Sequence, residues 1–294
     1  GKKKLKTEYI PEKLTLLKGA RKLKQAPLYK PMLATLADDI FDSKDWIFEI
    51  KWDGYRALAR TGAGSASIYS RNMKDLTKKF DLIRSSLEKM DRRVLLDGEI
   101  IITDSEGRSD FSGLEEYIKT GRGSPVYYVF DLLYIDGYNL LEVPLIDRKE
   151  ILEEILPTLP VIRISSHIEE TGKAFMAEAV KNNLEGIIAK KSGSSYRPGV
   201  RSHNWLKIKI RHSQDIVIGG YRKGPGNKSL RSIAAGVYEG RKLVHIANIG
   251  SGLNHNISKD LFDRLKKTTI PASPFFNAVK DSNEMVWVSP VIAA

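Results

Sequence analysis

The chain has 294 residues, 41% of them hydrophobic, and its 48 lysines and arginines against 36 aspartates and glutamates give a net charge of +12. The lack of cysteine excludes disulfide bonds, thiolate zinc sites and cysteine nucleophiles, and five scattered histidines disfavour a histidine-rich metal site. No apolar run approaches the roughly 18 residues of a membrane-spanning helix, and the excess positive charge indicates either a polyanionic partner or simply a solvated basic surface.

Residues 1–27 form a basic arm or linker in this interpretation. Its lysines and arginines are Lys2, Lys3, Lys4, Lys6, Lys13, Lys18, Arg21, Lys22 and Lys24. Such a run of like charges is typical of a segment that touches nucleic acid or joins an upstream module.

Residues 28–211 predict one α+β domain with antiparallel sheets, because strand patterns outnumber helix patterns. Two helices are indicated by apolar residues at a spacing near 3.6, one over 80–90 and one after Asp147, a candidate N-cap. Strands are predicted at 46–51, 55–60, 66–70, 93–102, 126–134, 161–165, 185–190 and 205–210.

Residues 212–294 predict a second domain, with the boundary at about 211–214. Short strands separated by glycines, with one inserted helix at 258–267, resemble a small β-barrel of the oligonucleotide-binding kind, the OB-fold. The glycine-rich stretch 222–229 is predicted to be a loop whose lysines could follow a phosphate backbone. The strands are predicted at 215–221, 233–238, 242–249 and 285–288.

Six short strings in the first domain each carry polar residues beside predicted strands or turns. They are Lys51-Trp52-Asp53-Gly54-Tyr55-Arg56, Ser70-Arg71-Asn72, Leu96-Asp97-Gly98-Glu99-Ile100, Val129-Phe130-Asp131-Leu132-Leu133-Tyr134, Glu185-Gly186-Ile187-Ile188-Ala189-Lys190 and Trp205-Leu206-Lys207-Ile208-Lys209. In this order they resemble the nucleotidyltransferase motifs that ATP-dependent DNA ligases share with mRNA capping enzymes. The sequences of residues 48–56 and 218–221 are most similar to the ligase module of bacterial ligase D, the non-homologous end-joining enzyme. The resemblance covers residues 30–294.

The resemblance makes Lys51 the nucleophile, although an isolated Lys-x-Asp-Gly string is also typical of a snorkelling lysine beside a hairpin turn. A lysine with an ordinary pKa near 10.4 must lose about 3 pK units, or about 4 kcal/mol, to become largely neutral near pH 7.4. Lys207 and Lys209 alternate along a strand and so face the same way. We expect their charges to lower the pKa of Lys51 and to stabilise negative charge on the α-phosphate. A basic strand edge that blunts aggregation remains the alternative for this pair.

The resemblance also implies that Glu99 and Glu185 hold Mg²⁺, or Mn²⁺ in its place, since hard cations prefer carboxylates. Gly98 and Gly186 beside them are expected to leave space for the ligand. Either glutamate could instead pair with one of the surplus basic residues.

The remaining predicted contacts surround ATP. The resemblance makes Phe130 the adenine-stacking ring, opposed by Ile188, with Glu49 accepting a hydrogen bond from the adenine amino group. Arg56 and Arg71 would hold the ribose or a 5′-phosphate, a task that suits guanidinium groups. The cofactor-binding set predicted from these strings is Glu49, Ile50, Arg56, Arg71, Glu99, Phe130, Ile188, Lys207 and Lys209.

The function implied is ATP-dependent sealing of nicked or broken double-stranded DNA through a lysyl-AMP intermediate, in double-strand break repair. An RNA ligase, a capping guanylyltransferase and a catalytically inactive DNA-binding module are the alternatives. We expect a monomer in the prokaryotic cytoplasm, associated with the nucleoid, working with an upstream polymerase module and a DNA end-binding protein. The chain stops before the family's final basic motif, so slow self-adenylation is also expected.

Overall fold

The computed structural model describes residues 12–62, 64–157, 159–210, 215–227, 229–250, 255–280 and 282–293. The chain divides after Ile210 into two compact units. Residues 1–11 of the predicted basic arm and the predicted boundary at 211–214 lie outside the described residues. No helix in the described ranges is long and apolar enough to cross a membrane.

The first unit contains twelve strands and four longer helices within its described residues. The strands are Arg21–Lys22 (β1), Leu33–Ala37 (β2), Ser43–Ile50 (β3), Tyr55–Gly62 (β4), Ser65–Ser70 (β5), Val94–Ile101 (β6), Val126–Ile135 (β7), Tyr138–Asn139 (β8), Ile162–Ile164 (β9), His167–Glu170 (β10), Gly186–Lys191 (β11) and Arg201–Lys209 (β12). The helices are Asp81–Leu87 (α1), Phe111–Thr120 (α2), Leu145–Ile155 (α3) and Gly172–Lys181 (α4).

These strands form two sheets. A seven-stranded sheet has the order β1-β8-β7-β6-β4-β5, with β9 added beside β7, and a five-stranded sheet has the order β10-β3-β11-β12-β2. Neighbouring strands are antiparallel except for the β7–β9 and β12–β2 pairs, which are parallel. The predicted mixture of helices with largely antiparallel sheets is therefore confirmed.

Residue alternation along β4 places the two faces of the seven-stranded sheet in different cores. Ala57 and Ala59 join a core that also contains Ile83 of α1 and Ile151 of α3. Leu58 points to the opposite face and packs in a cluster whose members come from both sheets: Leu58, Leu95, Phe130, Leu133 and Tyr134 from the first, and Trp205 from the second. The two sheets therefore face each other, and functional side chains can converge between them.

The second unit is built on a four-stranded antiparallel sheet with the order β15-β14-β13-β16. Its elements are Ile216–Lys223 (β13), Leu230–Glu239 (β14), Lys242–Ile249 (β15), the helix His255–Leu265 (α5) and Val286–Ala293 (β16). A Cβ at Gly219 would lie 2.6 Å from the ring of Phe275, so the ring requires glycine there. Tyr221 packs edge-on against Phe262 of α5 in one of the unit's cores.

Most predicted elements are confirmed with shifts of a few residues at their ends. Asp147 is not an N-cap, because α3 begins at Leu145 with Pro144 in the capping position. The loop predicted from 222 begins later, since β13 continues to Lys223. The sequence patterns do not predict the helices α2 and α4 or the strands β1, β2, β8 and β10.

Candidate active site

A cleft between the two sheets of the first unit has a cavity volume of about 220 Å³ and is partly open to solvent. Nine of the eleven predicted site residues line it: Glu49, Ile50, Lys51, Arg56, Arg71, Glu99, Phe130, Ile188 and Lys207. The cleft therefore gathers most of the predicted site residues in one place.

Lys51 follows directly after β3, where its backbone N–H donates to the carbonyl of Gly186 (3.0 Å). Its Nζ forms an ion pair with Oε2 of Glu185, and Oε1 of the same carboxylate lies 3.5 Å from Nζ of Lys209. Glu185 and Lys209, the two predicted residues outside the cleft lining, are thus joined to it through Lys51. The Lys51 amine is thus engaged by Glu185 in this structure.

The glycines beside the two predicted metal ligands do not make room for a ligand, contrary to expectation. A Cβ on Gly186 would lie 2.3 Å from the carbonyl oxygen of Ile208, and one on Gly98 would lie 2.5 Å from that of Tyr128. Gly186 also has a φ of 153°. Neighbouring strands, not the cleft, therefore exclude side chains at these positions.

Lys207 lies among several other cations. Burial lowers its pKa, and the charges of Arg201, Lys209, Lys51 and Arg71 lower it further. Such a concentration of positive charge favours a polyphosphate in the cleft.

Glu99 is a half-buried carboxylate in the cleft. Burial raises its pKa to about 8, although Arg56 and Lys51 act in the opposite direction. Burial, followed by the charge of Glu185, likewise raises the pKa of Asp53. Within the described residues no group makes a hydrogen bond to the Glu99 carboxylate, so it can accept a ligand.

This donor set fits Mg²⁺ in part. No cluster of three or more potential metal-binding side chains occurs among the described residues. Mg²⁺, however, usually takes one or two carboxylates and completes its shell with water and substrate phosphates. Glu99 and Glu185 would hold it, and the ion would supply positive charge next to the substrate phosphates.

The raised pKa of Glu99 predicts a pH-dependent stability difference from Glu99→Gln. The folded chain retains a proton that an unfolded glutamate loses at about pH 4.3, so stability falls as pH rises through about 8. Because glutamine cannot ionise, the variant should gain about 2–4 kcal/mol over wild type between about pH 5 and pH 9. Urea unfolding across that range measures the gain. Exposed Glu169→Gln is the control, and parallel curves for wild type and Glu99→Gln would contradict the prediction.

Glu49 is buried at 2% exposure and is bound by two lysines. Nζ of Lys149 lies 2.8 Å from its Oε1, and Nζ of Lys190 lies 2.9 Å from its Oε2. Burial alone would raise the pKa of Glu49, but the two ammonium groups hold it below its usual value. Ser165 completes the group with a hydroxyl 3.4 Å from the carboxylate. Both oxygens that would read the adenine amino group are therefore already engaged.

The same buried group supports the residue next to Lys51. The indole N–H of Trp52 donates to the hydroxyl of Ser165 (3.1 Å), and Nζ of Lys149 donates to the carbonyl oxygens of Ser165 (3.2 Å) and Phe130 (3.4 Å). Glu49 thus connects Trp52 to the strand that carries Phe130.

Arg56 is fixed in the cleft by a bidentate pair with Asp97. Its Nε and one terminal nitrogen donate to the carboxylate at 2.6 and 2.7 Å, and the latter nitrogen also reaches the carbonyl of Met32 (3.3 Å). Burial would lower the pKa of the Arg56 guanidinium, but the charge of Asp97 raises this pKa above its ordinary value. The other terminal nitrogen makes no hydrogen bond to a described residue, so it can bind a phosphate or ribose oxygen.

Tyr196 braces this pair, and its hydroxyl should contribute measurably to stability. The hydroxyl donates to Asp97 (2.6 Å) and accepts from the backbone N–H of Met32 (2.9 Å). Tyr196→Phe leaves both groups without this partner and should cost about 1–3 kcal/mol in urea unfolding. The control is Tyr69→Phe, at a half-buried residue whose hydroxyl makes no hydrogen bond to a described residue. Equal stabilities for the two variants would contradict the assignment.

The ring of Phe130 already has cationic neighbours. Nζ of Lys190 lies 4.1 Å from its centroid, the Arg56 guanidinium carbon lies 4.6 Å away, and Trp205 packs edge-on at 6.0 Å. Burial lowers the pKa of Lys190 to about 8, against the attraction of Glu49. The buried indole N–H of Trp205 has no acceptor in the described part of the chain. A stacked base would have to displace Lys190 or Arg56, or use another part of the ring.

Sequence reasoning assigned no role to Lys190, Trp205 or Lys149. Lys190 and Trp205 belong to two of the six strings and lie on strands β11 and β12. Their position in these strings could have identified them as residues of the site. Lys149 gave none, because Asp-Arg-Lys-Glu on a helix is typical of a solvent-exposed face.

Comparisons with known proteins agree over nearly the whole chain. A family model described as "ATP dependent DNA ligase domain" matches residues 31–209, and another described as "ATP dependent DNA ligase C terminal region" matches residues 226–294. The multifunctional non-homologous end joining protein LigD of Pseudomonas aeruginosa is 33% identical over 270 residues, which are 88% of this chain and 32% of that protein. The SPbeta prophage-derived DNA ligase-like protein LigB of Bacillus subtilis is 33% identical over 66% of this chain and 72% of its own.

Solved structures show the same relationship. The ligase domain of Mycobacterium tuberculosis LigD superposes with a TM-score of 0.58 at 31% identity, covering 89% of this chain and 86% of the other. A mycobacterial DNA ligase D complexed with ATP and MES gives a TM-score of 0.60 at 30% identity, with the same coverages. The predicted nucleotidyltransferase and OB-fold classes are thereby confirmed. The chain spans about a third of the length of the end-joining relatives.

Proposed function

Because the chain belongs to the ATP-dependent DNA ligase family, we propose that it seals breaks between a 5′-phosphate and a 3′-hydroxyl in DNA through lysyl-AMP on Lys51. The observation that carries this proposal is the position of Lys51. Lys51 lines a cleft that also carries Lys207 on its lining, and Lys209 is joined to the Lys51 amine through Glu185.

In the first step the Lys51 amine forms a bond to the α-phosphorus of ATP. The bond from that phosphorus to pyrophosphate breaks, and the amine loses its proton. Lys207 and Lys209 stabilise negative charge on the leaving phosphates. Arg56, held by Asp97, orients the ribose, and Phe130 with Ile188 encloses the base.

The later steps transfer the same AMP. An oxygen of the DNA 5′-phosphate attacks the phosphoramidate, the phosphorus–nitrogen bond breaks, and Lys51 regains a proton. The 3′-hydroxyl then attacks the 5′-phosphorus, and AMP leaves as the backbone closes. Arg71, exposed directly after β5, is suited to hold the 5′-phosphate.

The biological setting belongs to the same proposal. The similarity to multifunctional end-joining proteins supports a role in double-strand break repair beside a polymerase module and an end-binding protein. Mg²⁺ or Mn²⁺, held by Glu99 and Glu185, is the proposed metal, and a monomer is the proposed state.

The test is incubation of the chain with α-labelled ATP or GTP and Mg²⁺, followed by sealing assays on nicked DNA and RNA duplexes. The proposal predicts an acid-labile label from ATP and sealing of DNA. Label from GTP alone would identify a guanylyltransferase, and sealing of RNA alone would identify an RNA ligase. Absence of any label would contradict the lysyl-AMP step.

A further inference from the structure

A second groove lies in the first unit, away from the cleft. Its cavity volume is about 450 Å³, and Lys24, Arg60 and Arg93 lie in its wall beside Ser65 and Ser67. No carboxylate lines it. Its chemistry therefore favours an anion with several negative charges.

The three cations are available to such a ligand. No described residue forms a hydrogen bond or ion pair with the charged groups of Lys24, Arg60 or Arg93. Asp136, which follows β7, is already bound by Arg92 (2.6 Å) and by the backbone N–H of Arg93 (2.9 Å). Three unpaired cations around one groove repel one another, and a bound polyanion would relieve that repulsion.

A row of side chains connects this groove to the cleft. In the β4–β5 register Arg60 lies opposite Ser67 and Leu58 opposite Tyr69, so these residues share the face of the sheet that carries Arg56. Strand β5 is the sheet's edge. Its residues on that face, Ser65, Ser67 and Tyr69, are all at least partly exposed and lead to exposed Arg71.

The length of this row matches a short stretch of DNA. Four residues separate Arg71 from Ser67, or about 13 Å of strand. A B-form DNA strand rises about 3.4 Å per nucleotide, so the row spans about four nucleotides. A duplex whose 5′-phosphate lies at Arg71 can therefore place its backbone in the groove.

We propose that the groove formed by Lys24, Arg60 and Arg93 binds the phosphate backbone of the substrate duplex about four nucleotides from the break. The proposal rests on the proposed DNA-sealing function and extends it with a second point of contact. The groove holds the duplex by charge without reading its sequence, since its lining groups suit phosphates rather than base edges.

The test compares the full chain with Arg60→Gln/Arg93→Gln in binding to hairpin-closed nicked duplexes without ATP. One set of duplexes has both arms long, and others have one arm or the other shortened to about three base pairs, less than the row's span. The double variant should bind long duplexes about five- to twentyfold more weakly and reduce the slope of log affinity against log salt by about two. On the duplex that lacks the relevant arm, both proteins should bind equally.

The charge-matched control is Lys119→Gln/Lys181→Gln, which removes two exposed cations from α2 and α4. Equal losses from both double variants, or an equal loss on long and short duplexes, would overturn the proposal. Unchanged affinity for long duplexes would also overturn it and would leave another polyanion, such as an acidic protein segment, as the occupant. ATP labelling of Lys51 is measured in parallel, so failure of the proposed enzyme chemistry is seen separately from failure of the groove.

Discussion

Replacing Lys51 with alanine should reduce covalent labelling by α-labelled ATP by at least about 10⁴-fold, because alanine has no amine that could attack the α-phosphorus. The variant should still seal a nick whose 5′-phosphate already carries AMP, since that step breaks no bond to lysine. Denaturing gels report the label, and a pre-adenylated nicked duplex reports the sealing.

Lys191→Ala is the matched control for this experiment. Lys191 is exposed at the end of β11, outside the cleft lining, and its removal should leave labelling unchanged. Full labelling of Lys51→Ala would contradict the assignment of the nucleophile. Loss of sealing on the pre-adenylated nick would show that the lysine acts beyond carrying AMP.

Replacing Glu49 with glutamine should destabilise the first unit by about 3–5 kcal/mol, since it leaves two buried ammonium groups without their shared carboxylate. Adding Lys190→Met should restore part of the loss by removing one of those charges. Urea unfolding of the single and double variants gives the coupling energy directly.

The control for Glu49 is Glu178→Gln, which alters an exposed pair with Lys181 at 3.9 Å and should change stability by less than about 0.5 kcal/mol. If Glu49→Gln lowered the free energy of unfolding by no more than Glu178→Gln does, the stabilising role of the buried ion pairs of Glu49 would be contradicted. Mildly reduced stability with complete loss of ATP labelling would instead favour direct base reading by Glu49, as the sequence resemblance predicts.

The positions of several predicted site residues in the fold could be predicted because they depend on local sequence pattern. Lys207 and Lys209 share a face through simple strand alternation, and Lys51 adjoins a strand and turn that both carry strong signals. Helix α2 also had a signal, since Asp110 caps it by accepting from the N–H of Gly113, but a glycine in its first turn obscures the helical pattern.

The pairing partners could not be predicted, because they come together only in three dimensions. Lys149 reaches Glu49 across 100 positions of sequence, and Tyr196 reaches Asp97 across 99. The sequence of a helix does not distinguish a buried lysine from an exposed one unless the packing of the helix against the sheet is known. The predicted role of Glu49 as an adenine contact stays a prediction, whereas its two ion pairs are features of the fold.

The carboxylate of Glu49 also determines how the first unit can come apart. It belongs to the five-stranded sheet, as does Lys190, while Lys149 extends from α3 and contacts the backbone of β7 in the other sheet. If the two sheets separated, at least one of these buried charged groups would lose its partner, at a high cost in free energy. We therefore expect the two walls of the cleft to unfold together as one cooperative unit.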